Sequence, residues 1–254
     1  MSEVFGPGAV DDAVASYTEH GYVVLRGVHD GAQLAALQAD MERLQREVAA
    51  GALTDQHDDT VLDDPTVTRD AERTVNYVYY ATRHSPIAHD MVHDRAVTDV
   101  VRAILGPEAW LLDHERFGIV YQDARPGPTS GYSRIGWHTD RQSGPHLAIW
   151  PSTAFTIHLD ATSPANGFLR VVPGSHRRGT DDIPLGFEKV GGEVALYCEY
   201  GDVLLHDADL WHSAARATED PPGGVRRHLR GGWYTGRPLA PGHGVDDFVK
   251  NARR

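Results

Sequence analysis

"GDVLLHDADLWHS", residues 201–213, is the stretch on which the reading of this chain turns. Gly201–Asp202 makes a turn into a short apolar strand, and His212 follows that strand, just behind the bulky pair Leu210–Trp211. The stretch is one of a series. From Trp110 onward the hydrophobic period is two, in the runs "FGIVYQ" (117–122), "AFTIHLDAT" (154–162), "GFLRVVPGS" (167–175), "VALYCEY" (194–200), "GDVLLHD" (201–207) and "RRHLRGGWYT" (226–235). Clusters of Gly, Pro, Asn and Asp separate them. Six or more short strands that follow a run of helices predict a β-sandwich or barrel with helices packed on its outside.

The helices lie upstream. "DDAVASYTEH" (11–20) has an acidic start and is stopped by Gly21, after which "GYVVLRGV" (21–28) reads as a short buried strand. In "DGAQLAALQADMERLQREVAAG" (30–51), Leu34, Leu37, Met41, Leu44 and Val48 fall three or four apart, which predicts a one-sided helix capped by Asp30 and ended near Gly51. Residues 52–70 are acidic and aperiodic, and read as a loop. Ser85–Pro86 offers a cap and a first-turn proline ahead of a helical region in which Val97, Val100, Val101, Ile104 and Leu105 share a face and Gly106 ends it. We expect one domain over 1–254, a helical region of about 1–106 packed on a β core of about 107–240.

Composition narrows the function. The 254 residues are 41% hydrophobic and 24% charged, ordinary for a globular protein. Lys+Arg 24 against Asp+Glu 36 gives a formal net charge of −12, which repels phosphate backbones and anionic lipid surfaces. Nucleic acid and membrane are therefore not expected partners, and the oligomeric state stays open. The start of the chain has no basic segment followed by an apolar one, and no window approaches the roughly 18 apolar residues of a membrane span. A single Cys198 cannot form an internal disulfide and reads as a small buried strand residue. The expectation is a cytoplasmic protein.

The chemistry gathers around "GWHTDRQSG", residues 136–144. Side chains two apart on an extended segment share a face, so His138 and Asp140 can reach one ion. That spacing permits chelation without establishing it. With His212 added, the set is two imidazoles and one carboxylate, the donor set that occupies one face of an octahedron in non-heme Fe(II) oxygenases and leaves three positions open. Of the other histidines, His158 and His206 lie in strand runs and read as packed or hydrogen-bonded. His146 could face substrate or solvent, and Trp137, Trp150 and Trp211 read as packing residues.

In order and spacing together, "GYVVLRGV", "GWHTD", "NGFLRVVPGSH", "GDVLLHDADLWHS" and a late "RRHL" resemble the phytanoyl-CoA dioxygenase group of Fe(II)/2-oxoglutarate-dependent oxygenases, from about Gly21 to Tyr234. The resemblance implies a double-stranded β-helix, a cupin-like jelly roll that is mainly β with flanking helices. It implies Fe(II) held by His138, Asp140 and His212, with 2-oxoglutarate and O2 as co-substrates. It places the basic residue for the distant carboxylate of 2-oxoglutarate on Arg226, with Arg227 as the near alternative, since adjacent strand residues face opposite ways. His176 matches a supporting position outside the coordination sphere.

Three departures from the family pattern stand out: Thr139 where Gln is frequent, no Asn in "SAARAT" after His212, and a long "TEDPPGG" that loosens the arginine register. The implied reaction oxidises an unactivated C–H bond of a small organic molecule, hydroxylation being the default, with release of succinate and CO2. Asp140 fills the position that related halogenases leave for chloride. Desaturation, epoxidation and cyclisation stay open, and so does the substrate. The residues also admit a cupin-like zinc hydrolase or isomerase, since zinc accepts the same donors, or a non-catalytic jelly roll that binds a ligand. The acidic loop at 52–70 and "DARPGPTSGYSRIG" (123–136) are expected to border the entrance.

Overall fold

A computed structural model describes residues 3–56, 61–62, 74–113, 118–124, 135–143, 151–214 and 226–239. The chain opens with β1 (Val4–Phe5), α1 (Val10–His20), β2 (Tyr22–Leu25) and α2 (Gly31–Ala49), then β3 (Val61–Leu62), β4 (Thr74–Val75), β5 (Tyr77–Val78), α3 (Ala81–His84), α4 (Pro86–Val92) and α5 (Arg95–Leu105). Strands dominate the remainder: β6 (Trp110–Leu111), β7 (Val120–Ala124), β8 (Ile135–His138), the single-turn α6 (Asp140–Ser143), β9 (Thr153–His158), β10 (Leu169–Val171), a 3-10 turn at Ser175–Arg177, β11 (Val194–Leu196), β12 (Val203–Asp207), β13 (His212–Ala214) and β14 (Arg226–Tyr234).

Local signals account for the long helices. At the start of α2 the Asp30 carboxylate accepts from the Gln33 N–H at 2.8 Å and the Gln33 side chain accepts from the Asp30 N–H at 2.9 Å, a reciprocal cap. The five apolar residues spaced along α2 are the five it buries. Helix α1 ends at Gly21 with φ 81, where a Cβ would stand 2.4 Å from His176 Nδ1, so only glycine lets the chain turn directly into β2. The helical region after Ser85–Pro86 is two helices, because His93 closes α4 and the Asp94 carboxylate caps α5 anew through the Ala96 N–H.

Among the described residues the larger sheet runs β1-β2-β12-β9-β14-β7-β5, with β6 on the far end of β14, and the smaller runs β11-β10-β13-β8. Strand alternation divides the core. Val203 and Leu205 of β12 face the helices and join Leu34, Leu37, Met41 and Leu44 of α2 in the main cluster. Leu204 faces the other way and, with Tyr22 and Val24, meets Val171 and Leu196 of the smaller sheet and Leu210 in the turn before β13. The protein is mainly β with flanking helices, two sheets face to face in a jelly-roll arrangement whose sheets are open at their edges.

The region before residue 107 is not only an outer helical layer. Strand β2 lies inside the larger sheet against β12 and β5 ends it against β7, so strands from the first hundred residues belong to the core sheet. Cys198 lies just past β11 rather than within it, buried and free. Burial pushes its thiol up to about 12, and its N–H donates to Thr162 Oγ1 at 2.8 Å. No helix of the described residues is long and apolar enough to cross a membrane.

Candidate metal centre

The smaller sheet places two histidines side by side. His138 ends β8, His212 begins β13, and the two are register partners in an antiparallel pair, with ring centroids 4.2 Å apart. Asp140 follows two residues after His138 as the chain turns into α6, its N–H bonded to Ala208 O at 3.0 Å. One donor atom from each of His138, Asp140 and His212 lies within 4.8 Å of the other two, and Asp140 Oδ1 is 3.5 Å from His212 Nε2.

Backbone carbonyls fix the tautomers. His138 Nδ1–H donates to Gly136 O at 2.7 Å and His212 Nδ1–H donates to Leu210 O at 2.8 Å. Each ring therefore turns a bare Nε2 toward the centre, the arrangement that prepares an imidazole as a ligand. Outside the ring of donors, Arg141 on α6 grips Asp209 through two hydrogen bonds of 2.8 and 3.1 Å and so ties the turn before His212 to the segment carrying Asp140. Gly136 allows a close approach, for the Trp137 N–H donates to Gly186 O, and a Cβ on Gly136 would sit 2.8 Å from that same oxygen.

Electrostatics favour a cation. Burial opposes ionisation of Asp140, but the surrounding imidazoles, His212 foremost, outweigh it and hold the carboxyl well below the usual range. Burial and the neighbouring His212 pull His138 down, whereas Asp140 overcomes burial to lift His212. A fourth histidine, His206 on β12, has its ring 4.8 Å from that of His212, and burial with the His212 charge brings its pKa down to about 4. His206 Nδ1 is buried with no hydrogen-bond partner among the described residues. From the sequence His206 is a packed or hydrogen-bonded strand residue, and the packing of the two sheets brings it beside the centre.

Alternation on β14 separates the two arginines. Arg227 points toward the helices, where its guanidinium takes both oxygens of Asp160 at 2.9 Å and Glu42 at 2.8 Å. These partners hold it firmly in its charged form. Arg226 points between the sheets. Burial lowers its pKa, and it has no hydrogen bond or ion pair with other described residues.

His228, two residues on, shares that inner face and pairs across to His158 of β9. Its Nε2–H donates to Gln122 Oε1 at 3.1 Å, and Gln122 Nε2–H donates to the Tyr77 hydroxyl, also at 3.1 Å. Burial and then Arg226 bring His158 down to about 4 and hold His228 well below its ordinary value. Both ring nitrogens of His158 and the Nδ1 of His228 are buried without partners among the described residues. A charged guanidinium between sheets, beside neutral imidazoles with idle nitrogens, has the chemistry of an anion seat, and no side chain of the described residues fills it.

Trp137 and Trp211 pack together on the outer side of the smaller sheet with Val172, covered by Arg170 and Arg178. His176 touches the Gly21 turn and is not among the converging donors. His146, Trp150, residues 125–134 and most of the 52–70 loop fall outside the described residues.

Known proteins share sequence and fold with this chain. The family model "Phytanoyl-CoA dioxygenase (PhyH)" matches residues 17–221. An ectoine dioxygenase of Bordetella parapertussis is 26% identical over 185 residues, covering 69% of this chain and 54% of that protein. The ectoine dioxygenase of Sphingopyxis alaskensis is 26% identical over 167 residues, 64% of this chain and 48% of its own length. The chain thus spans about half the length of these curated relatives. Among solved structures, EctD from S. alaskensis in its apoform superposes with a TM-score of 0.67 at 21% identity, covering 98% of this chain and 85% of that one. SnoN, a non-heme alpha ketoglutarate dependent epimerase from nogalamycin biosynthesis, gives 0.65 at 18% identity over 97% and 95%. With four-fifths of its length matched by the family model and the family's fold around its sheets, the chain belongs to the phytanoyl-CoA dioxygenase family.

Proposed function

We propose that the chain is an Fe(II)- and 2-oxoglutarate-dependent dioxygenase that oxidises an unactivated C–H bond of a small organic molecule. The observation that carries this reading is the convergence of His138, Asp140 and His212, two bare Nε2 atoms and one carboxylate, between the same sheets as Arg226, which has no partner among the described residues. The donors fit ferrous iron: imidazole and carboxylate in a two-to-one set that leaves positions for a keto acid and oxygen. The idle polar atoms around Arg226 fit a dicarboxylate. When bound, the iron and 2-oxoglutarate supply the oxidising power from O2, releasing succinate and CO2.

This chain's residues do the positioning. His138, Asp140 and His212 would hold the ion, and the Gly136 and Leu210 carbonyls orient the imidazoles. Arg226 would hold the distant carboxylate of the co-substrate with paired N–H donors. The neutral His158 and His228 add no competing positive charge beside it, and His228, fixed by Gln122 and Tyr77, presents a bare Nδ1 as an acceptor. Zinc would satisfy the same three ligands, but a zinc hydrolase has no use for a second, buried anion seat. Arg226 therefore favours the keto-acid reading over the hydrolase and over a binding protein without activity.

The relatives point to a small polar or natural-product substrate. The curated ones include ectoine dioxygenases, and the solved neighbours include an epimerase and a carbocyclase of nogalamycin biosynthesis. The outcome of the oxidation is set by how the substrate is held, with hydroxylation as the default. The test is succinate release from 2-oxoglutarate in the presence of Fe(II), O2 and a panel of small molecules that includes ectoine, with the mass of each organic product checked. A gain of one oxygen or a loss of two hydrogens, coupled to succinate, is expected. Succinate no higher than in the iron-free control for the iron-loaded protein sinks the proposal.

A further inference from the structure

A second group of metal-ligating side chains lies on the opposite side of the larger sheet. His89 in α4 and His93 just past its end are four residues apart, so their rings lie on one helix face with centroids 4.6 Å apart. Asp113, shortly after β6, comes up against both: its Oδ2 is 3.0 Å from His93 Nε2 and 3.6 Å from His89 Nε2. One donor atom from each of the three lies within 4.8 Å of the others. Zinc bonds of about 2.0–2.1 Å in a tetrahedron place neighbouring donors ~3.4 Å apart. The two measured separations bracket that value.

The surroundings orient the donors as they do around a metal. The buried Thr82 hydroxyl donates to Asp113 Oδ1, which leaves Oδ2 turned to the imidazoles. His89 Nδ1–H donates to Asp90 Oδ1 at 3.4 Å, and its Nε2 faces Asp113. Two imidazole Nε2 atoms converge on the one carboxylate oxygen, and a metal can take the place of the protons that otherwise bridge such groups. His89 and His93 are 44% and 38% exposed, so an ion can arrive from solvent and keep water in its remaining position.

We propose that His89, His93 and Asp113 bind a divalent transition-metal cation, zinc(II) fitting best, that ties α4 to the end of β6. His93 also lies edge-on to Trp233, whose side chain belongs to the helix-facing core, so the site is separated from His138, Asp140 and His212 by the larger sheet. It stands or falls independently of the oxygenase reading.

The test is zinc content after equilibrium dialysis of the full chain, with thermal unfolding followed in parallel. Wild type should retain two zinc ions per chain, and the double variant His138→Ala/His212→Ala one. Adding His93→Ala to the double variant should bring the count to none and remove the rise in Tm caused by zinc. His93→Gln and Asp113→Asn, close in shape, should give the same loss with an unchanged zinc-free Tm, which separates ligation from folding. Thr82→Val should weaken zinc binding about tenfold, and His20→Ala, outside the group, should change nothing. The proposal is overturned if His93→Gln leaves the zinc count and the Tm shift of the double variant intact, or if the double variant retains no zinc at all.

Discussion

Arg226 and Arg227 are neighbours in the chain, identical in chemistry, and separated by the thickness of one β-strand. Arg227 faces the helices and is fully employed, with two oxygens of Asp160 and one of Glu42 around its guanidinium. Arg226 faces its own sheet's partner and has no such company among the described residues, only two imidazoles that burial keeps neutral. The difference teaches where this protein keeps unfinished chemistry. The outward face of β14 satisfies its charges internally and stabilises the fold; the inward face leaves donors and acceptors idle, which folding alone would not tolerate.

The largest test of that contrast is to truncate each arginine. Arg226→Ala should raise the Kd for 2-oxoglutarate, measured anaerobically by titration calorimetry with Fe(II), by roughly 30-fold or more, the equivalent of ~2 kcal/mol or above for a desolvated charge pair. Arg227→Ala should leave that Kd unchanged and instead lower stability to urea by about 1–2 kcal/mol, since it strands Asp160. Swapped outcomes would put the wrong arginine inside.

The neutral histidines make a second test. His158 is held near 4 in the folded chain against 6.5 for the free side chain. Between those values the unfolded chain binds a proton that the folded one refuses, so this contribution is complete above about pH 6.5 and is lost as pH falls toward 4, up to ~3 kcal/mol. His158→Gln should flatten that part of the stability profile measured by denaturation between pH 4 and 7. An unchanged slope would mean that the inner face is wetter than described.

A smaller effect is expected at Gly136. A Cβ there meets the Gly186 carbonyl oxygen at 2.8 Å and its carbon at 3.3 Å, backbone atoms that cannot step aside. Gly136→Ala should shift the carbonyl that orients His138 and weaken Fe(II) binding by roughly tenfold. Gly179→Ala, with open space around it, should bind iron like wild type. The smallest effect belongs to the exposed pair Arg141–Asp209, where Arg141→Ala should cost under about 1 kcal/mol in denaturant unfolding.

Much of this was legible in the residues. The spacing of Leu34 through Val48 and the Asp30–Gln33 pair specify α2 without help from the rest of the chain, because helix periodicity and capping are local. The runs 154–162 and 201–207 show their strands through alternation. Two-residue strands such as β5 and β6 have too few residues for a period, so their places in the sheet depend on partners far along the chain. The triad was accessible because His138 and Asp140 are close in sequence and His212 follows a recognisable strand.

Which arginine turns inward depends on the parity of β14, and the long "TEDPPGG" leaves that parity unset until the pairing of His228 with His158 fixes it. His206 beside His212, and the meeting of His89 and His93 with Asp113, are tertiary facts. The four-residue spacing of His89 and His93 was the only local trace of that second group.

The central claim is that one ferrous ion with a chelated keto acid sits on His138, Asp140 and His212. The measurement closest to it is the visible spectrum of the protein under argon with Fe(II) and 2-oxoglutarate. Wild type should develop the weak charge-transfer band of an iron-bound keto acid, saturating at one equivalent of iron, and His212→Ala should show none. A wild-type sample that stays colourless, or a His212→Ala sample with the same band, would contradict the account.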